Sequence, residues 1–229
     1  MAPPTLPRKR NADFPSRESL TAQRARAAEV MQRLLGHFPE TRTALHWKTP
    51  FELLIATILS AQCTDVRVNK VTPELFRRFP DAAAMSKASL ELLEDLVRTT
   101  GFFRNKAKSL SGTAKRLVDV FDGEVPRTMK ELLTLPGVAR KTANCVLGTC
   151  FGIKVGVVVD THVGRIARRM GFTRETNPVK VERDLMKVFE RELWVKVSHS
   201  MIDHGRETCT ARTARCEGCL LGDLCPQRL

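Results

Sequence analysis

"LPGVARKTANCVLGTC", residues 135–150, decides how this chain is read. Thr134 and Leu135 close one segment, Pro136 and Gly137 make a tight turn, and a helical pattern restarts near Val138. Upstream, "TMKELLTLPG" (128–137) opens with Thr128 as N-cap and Glu131 three residues later, a capping box that starts the preceding helix. The stretch is therefore a helix, a hairpin and a second helix. The outward amides of the turn and of the second helix's N-terminus make an anion site suited to a phosphate, unless the hairpin is only a solvated connection. Lys141 falls in the first turn of that second helix beside Arg140. It is either one more phosphate-binding cation or an amine nucleophile able to attack a sugar carbon and form a Schiff base.

Helix signals recur on both sides. "TPFELLIATILSAQ" (49–62) begins with Thr49, Pro50 at the first helical position and Glu52 three residues after the cap. "NPVKVERDLMKVFEREL" (177–193) does the same with Asn177 and Pro178, and its Val179, Leu185, Val188 and Phe189 share a helical face. Gly101 and Gly123 follow periodic segments as helix stops. The strand-like run "VGVVVD" (155–160) is too short and isolated to build a sheet. The expected fold class is all-α, with about ten helices joined by short loops; no period of about 20–50 residues suggests a solenoid.

With 229 residues, 42% of them hydrophobic, the chain is long enough for a sizeable core in one or two domains. Its formal net charge of +13 points to a polyanionic partner, and nucleic acid fits better than a membrane because no polybasic segment adjoins a long apolar one. Arg8, Lys9, Arg10, Arg17, Arg24 and Arg26 concentrate part of that charge in residues 1–26, against Asp13 and Glu18, but the body stays basic without them. No secretory leader and no apolar run of about 18 residues is present, so an intracellular protein with a flexible start is expected.

Four of the seven cysteines lie within "CTARTARCEGCLLGDLC" (209–225). Their C-x6-C-x2-C-x5-C spacing offers thiolates to tetrahedral zinc or to an iron–sulfur cluster, and a single short C-x2-C knuckle suits the larger cubane better. The metal would staple the loop and present Arg212 and Arg215 to a phosphate backbone. Cys63, Cys145 and Cys150 sit in apolar helical stretches and read as core. Nineteen residues after Lys141, "VVVDTHVGRIARRMGF" (157–172) places Asp160 just before a basic amphipathic helix. An aspartate there is a good N-cap, and the same carboxylate is able to stabilise an oxocarbenium sugar or to deprotonate a nucleophile.

"LPGVARKTAN", "VVVDTHVGRIARRMGF" and "HGRETCTARTARCEGCLLGDLC" together resemble the endonuclease III family of helix-hairpin-helix DNA glycosylases, as do "ILSAQCTDVRVNKVTPELF" and "TGFFRNKAKSL". The resemblance runs from about residue 28 to 229. It implies base excision repair of oxidised pyrimidines in duplex DNA, with AP lyase activity at the resulting abasic site. It further implies Lys141 as the catalytic lysine that attacks C1′, Asp160 as the catalytic aspartate, and Cys209, Cys216, Cys219 and Cys225 as ligands of a [4Fe-4S] cluster. Once the damaged nucleotide has left the stack, Gln62 would fill the gap and Phe102 would wedge the opposite strand. Gly137, Ala139, Arg140 and Arg212 would contact DNA. Asp65 and His162 fall in matching segments near the pocket, without assigned chemistry.

The implied architecture is a six-helix barrel over 46–153 and a discontinuous cluster domain over 27–45 and 154–229, with the active-site cleft between them. Residues 1–26 would be a basic, disordered extension. A monomer in the cytoplasm, acting on nucleoid DNA if the source is bacterial, completes the expectation. The sequence departs from the family pattern at Ala139, where a second hairpin glycine is usual, and at Phe102 and Phe103, where leucine and tyrosine are common; the chain has no tyrosine at all. One alternative is an adenine-mismatch glycosylase of the same superfamily, but "ILSAQCTD" lacks its glutamate and the chain stops four residues after Cys225. The other is a non-catalytic DNA-binding module that uses hairpin and cluster only for docking.

Overall fold

The computed structural model describes residues 9–10 and 18–228. Among these residues the chain forms eleven α-helices. It divides into two units, one of Met1–Arg42 with Gly156–Leu229 and one of Thr43–Val155.

The first unit opens with α1 (Leu20–His37), whose N-cap Ser19 accepts the Ala22 N–H through Oγ at 3.1 Å. Ala27, Val30, Met31 and Leu34 recur at helical spacing and are buried. This corrects the expectation of disorder up to residue 26. Over 18–26 the chain is capped, helical and anchored, because Arg26, counted on sequence as part of a solvated basic arm, is buried. Its guanidinium pairs with Glu18 at 2.6 Å, donates to the carbonyls of Met170 (2.8 Å) and Leu224 (3.2 Å), and lies over the Phe172 ring. The rest of the expected extension, residues 1–8 and 11–17, lies outside the described residues, while the backbone of Lys9–Arg10 pairs antiparallel with Gln227–Arg228.

The second unit is built around α2 (Pro50–Leu59), which is buried at Phe51 and throughout 53–59, as a helix apolar on all sides must be. Thr49 caps it through the Glu52 N–H, but the Glu52 carboxylate reaches back to the Lys48 N–H at 2.6 Å, one residue before the expected box partner. There follow α3 (Asp65–Arg78), α4 (Ala82–Ser86), α5 (Leu90–Val97), α6 (Phe103–Phe121), α7 (Met129–Leu132) and α8 (Arg140–Phe151). α3, α6 and α8 pack on α2, and α4 and α5 pack on α6. Leu53, Leu54, Leu59, Leu93, Leu110, Leu117, Val146 and Leu147 form the centre of its core, each worth about 1.5–3 kcal/mol by burial.

The chain then returns to the first unit. "VGVVVD" has no strand partner among the described residues and is tied by the Val158 N–H to Ser198 Oγ at 2.9 Å, while Val157 and Val159 enter the core. α9 (Thr161–Arg169), α10 (Pro178–Val188) and α11 (Trp194–Glu207) complete it, with Val30, Leu34, Val163, Ile166, Leu185, Val197 and Met201 between them. Asn177 caps α10 as its sequence predicts, accepting the N–H groups of Val179 and Lys180. Among the described residues no helix is long and apolar enough to cross a membrane.

Candidate active site

The hairpin of the second unit is made by packing as much as by local sequence. Thr128 Oγ1 accepts the Glu131 N–H at 3.2 Å and so caps α7 as expected, while the Glu131 carboxylate takes the Thr128 hydroxyl at 2.6 Å rather than the backbone N–H that a full capping box would use. Leu135 N–H returns to Leu132, and Val138 N–H to Leu135, carrying the chain through Pro136 and Gly137. Gly137 adopts φ +76°, and a β-carbon on it would lie 2.7 Å from Ser109 Cβ on α6. One turn along α6, Thr113 Oγ1 donates to the Pro136 carbonyl at 2.7 Å, and Gly112 leaves room for the Pro136 ring. Sequence reasoning missed this grip. Its trace is S-x-x-G-T at 109–113, small residues at i, i+3 and i+4 of one helix.

α8 begins at Arg140, two residues beyond the expected restart near Val138, whose side chain is buried and whose N–H is still committed to the turn. Ala139 is the N-cap residue. Its φ of −97° and ψ of 171° are ordinary extended backbone that alanine adopts without strain, so the missing second glycine does not distort the hairpin. Among the described residues no side chain caps α8, and the positive end of its dipole suits an external anion such as a phosphate. Lys141 is exposed in this first turn. One turn deeper, the Cys145 thiol is pushed up by burial, with Thr57 and Thr149 as hydrogen-bond partners and Lys141 and Asp65 close enough to interact with it electrostatically. Burial likewise pushes Cys150 up to about 12, so both are poor nucleophiles and behave as core residues.

Besides Asp122, which closes α6 in the left-handed region, two further non-glycine residues of this unit sit in left-handed backbone. Gln62 has φ +52° in the turn after α2, and Phe102 has φ +47° at the start of α6. Non-glycine residues rarely adopt this region, and such strain concentrates at functional positions. Phe102 is 65% exposed, so it is no core aromatic. Asp65 is the first residue of α3, whose cap is Thr64.

In the first unit Asp160 caps α9, its Oδ1 accepting the Val163 N–H at 2.8 Å. His162 is half-buried, 3.2 Å from Arg165 through Nδ1, and closely apposed to Gly205, where a β-carbon would stand 2.9 Å from that same nitrogen. That packing accounts for it.

Cys209, Cys216, Cys219 and Cys225 all line one cavity, floored by Ile166, Met170 and Leu221. They surround a space rather than converge on a point: among the described residues no three His, Cys, Asp or Glu side chains come close enough to bind a single ion. Arg169 Nη1 donates to Cys209 Sγ at 3.1 Å, and Arg165 donates to the Cys209 carbonyl, so positive charge is already directed at this thiol. Arg212 and Arg215 are exposed on the loop between the first two cysteines.

Comparison with known proteins agrees with this geometry. Residues 55–191 match the HhH-GPD superfamily of base excision DNA repair proteins. Endonuclease III of Synechocystis sp. is 52% identical over 207 residues, covering 90% of this chain and 94% of the relative. Endonuclease III of Escherichia coli (strain K12) is 42% identical, covering 88% of this chain and 95% of that one. The chain belongs to the endonuclease III family.

A solved structure of a trapped endonuclease III–DNA covalent intermediate, an estranged-adenine complex, superposes with a TM-score of 0.84 at 41% identity, covering 88% of this chain and 95% of the other. Within an endonuclease III frame, the least legible parts of this chain are the arginines of α1. Arg33 forms a fork with Asp223 at 2.6 and 3.0 Å and donates to the Leu220 carbonyl at 3.0 Å. Together with Arg26 on Leu224, it clamps the segment that carries Cys219 and Cys225. A helix face that reads as part basic tail, part amphipathic surface therefore serves as the outer wall of the cysteine loop.

Proposed function

We propose that this chain is a bifunctional DNA glycosylase of base excision repair that removes oxidised pyrimidines from duplex DNA and then cleaves the abasic site by β-elimination. The observation that carries the reading is the exposed Lys141 in the uncapped first turn of α8, held there by the Pro136–Gly137 hairpin. The amides of Gly137, Ala139 and Arg140 dock a DNA phosphate, bringing sugar rather than base toward the lysine. The Lys141 amine attacks C1′ of the extruded nucleotide as the C1′–N bond breaks and the base departs with the electron pair. Ring opening gives a Schiff base, and loss of the C2′ proton expels the 3′ phosphate.

Asp160 serves as the carboxylate that stabilises positive charge at the sugar or accepts the lysine proton. Only one of its oxygens is committed to capping in the bonds above, so both roles are compatible. Gln62 enters the space left by the extruded nucleotide and Phe102 wedges the opposite strand; exposure and preformed left-handed turns support this.

A [4Fe-4S] cluster fits the cavity lined by Cys209, Cys216, Cys219 and Cys225, four thiols around a common space. When bound, it supplies iron–thiolate cross-links that staple the 209–225 loop, and the loop's Arg212 then meets the phosphate backbone. The partner is duplex DNA with damaged bases or abasic sites, met by a monomer in the cytoplasm.

The test is borohydride trapping on duplex DNA carrying one thymine glycol, with Lys141→Ala beside the wild type. A reduced covalent adduct from wild type alone supports the lysine mechanism. Base release without an adduct would mean a monofunctional glycosylase in which water is the nucleophile. Tight binding with neither product on several oxidised pyrimidines would replace the enzyme with a docking module.

A further inference from the structure

Lys106 is a buried lysine in an unfavourable place. It is 5% exposed and lies in the first turn of α6, the positive end of the helix dipole. Burial lowers its amine below the usual lysine range. A cation so placed is costly unless specific partners hold it.

Its partners bracket one turn. Lys106 Nζ donates to the Thr100 carbonyl at 2.7 Å, and its backbone N–H donates to the Phe102 carbonyl at 3.1 Å. Between those two carbonyls the backbone passes through two successive positive-φ residues, Gly101 at +72° and Phe102 at +47°. Thr100 is itself buried, with Oγ1 bonded to the Val97 carbonyl, so the turn is tied down on both sides. The thiol of Cys63 lies close enough to Lys106 to interact electrostatically, and Cys63 follows Gln62, the other left-handed residue in the reading above.

We propose that Lys106 is a positioning residue: its ammonium fixes the Thr100–Phe102 turn beside the Gln62 turn, so that both side chains reach the duplex already preformed. This rests on the reading of Phe102 and Gln62 as the residues that enter the DNA. A preformed wedge loses less freedom on binding, and small displacements of such a group cost rate steeply.

The experiment compares wild type, Lys106→Met, Phe102→Ala and the double variant, all as full chains. Amide hydrogen exchange is followed in residues 60–65 and 97–106, together with single-turnover base release from a thymine glycol duplex. Lys106→Met is expected to speed exchange in those two segments while α2 and α8 stay protected. Base release should slow on the order of tenfold, with no added loss when Phe102 is already alanine. Unchanged exchange at both turns would overturn the proposal, as would faster exchange throughout Thr43–Val155 or losses that multiply in the double variant. Loosened turns with undiminished base release in both single variants would instead sink the wedge reading, and Lys106's role in repair with it. Should Lys106→Met fail to fold, Lys106→Gln, which keeps an N–H donor on a shorter stem, serves the same comparison and is expected to show a partial effect.

Discussion

A β-carbon on Gly137 would stand 2.7 Å from Ser109 Cβ and 2.8 Å from its Oγ, so the hairpin touches α6 where no side chain fits. The φ of +76° adds a second penalty for any L-residue. Gly137→Ala is expected to cost about 1–3 kcal/mol and to weaken DNA binding, because the hairpin must lift off α6. Ala139→Gly should do neither, since Ala139 already occupies extended backbone; it should cost only about 0.4–1 kcal/mol through the unfolded state. Urea unfolding and binding isotherms on an abasic-site duplex separate the two. A several-fold gain in affinity from Ala139→Gly would mean that the alanine does hinder phosphate contact.

That pair shows which features the sequence makes legible. The caps at Thr128, Asn177 and Asp160 join residues two or three apart, so residue type and spacing suffice to read them. The seat of the hairpin does not work that way: Thr113 reaches Pro136 across 23 residues, and nothing in "LPGVARK" announces a partner on α6. Arg26 is harder still. As one of several arginines before a helix it looks solvated, and only the packing of Met170, Phe172 and Leu224 around it reveals a buried cation. The exposure of Phe102 was equally hidden, because an aromatic after a glycine stop more often turns inward.

Arg26→Met keeps an apolar stem but strips the donors from Glu18, whose side chain is only 16% exposed, and from two carbonyls. An expected loss of about 3 kcal/mol follows from leaving a poorly solvated carboxylate behind. Because Leu224 adjoins Cys225, iron bound per chain should fall as well. Adding Glu18→Gln should recover part of the stability. Thermal melts with iron and sulfide analysis of the three variants check this, and a variant as stable as wild type would show the pair to be incidental.

His199 gives the first unit a pH dependence. Burial holds its imidazole below the usual range, with Asp203 and Asp160 opposing that shift. The native state therefore favours the neutral ring. The corresponding stability is whole above the unfolded value of about 6.5 and is lost as pH falls toward the lower folded value. His199→Gln, which cannot charge, should show a flatter fall of Tm from about pH 7 to about pH 5. Parallel Tm profiles for the two proteins would assign the acid lability to other groups.

Arg212 is exposed on the loop between Cys209 and Cys216, and among the described residues its side chain makes no hydrogen bond or ion pair. On the proposed function it neutralises one phosphate, and it reads no base. Arg212→Ala should then weaken binding about equally on lesion-bearing and undamaged duplexes. The slope of log K against log salt should fall by about 1, the counterion equivalent of one lost contact. Equilibrium binding at several salt concentrations measures that slope. An unchanged slope with weaker binding would place the effect on the fold of the cysteine loop rather than on DNA, and the iron content of the same variant would then have to fall with it.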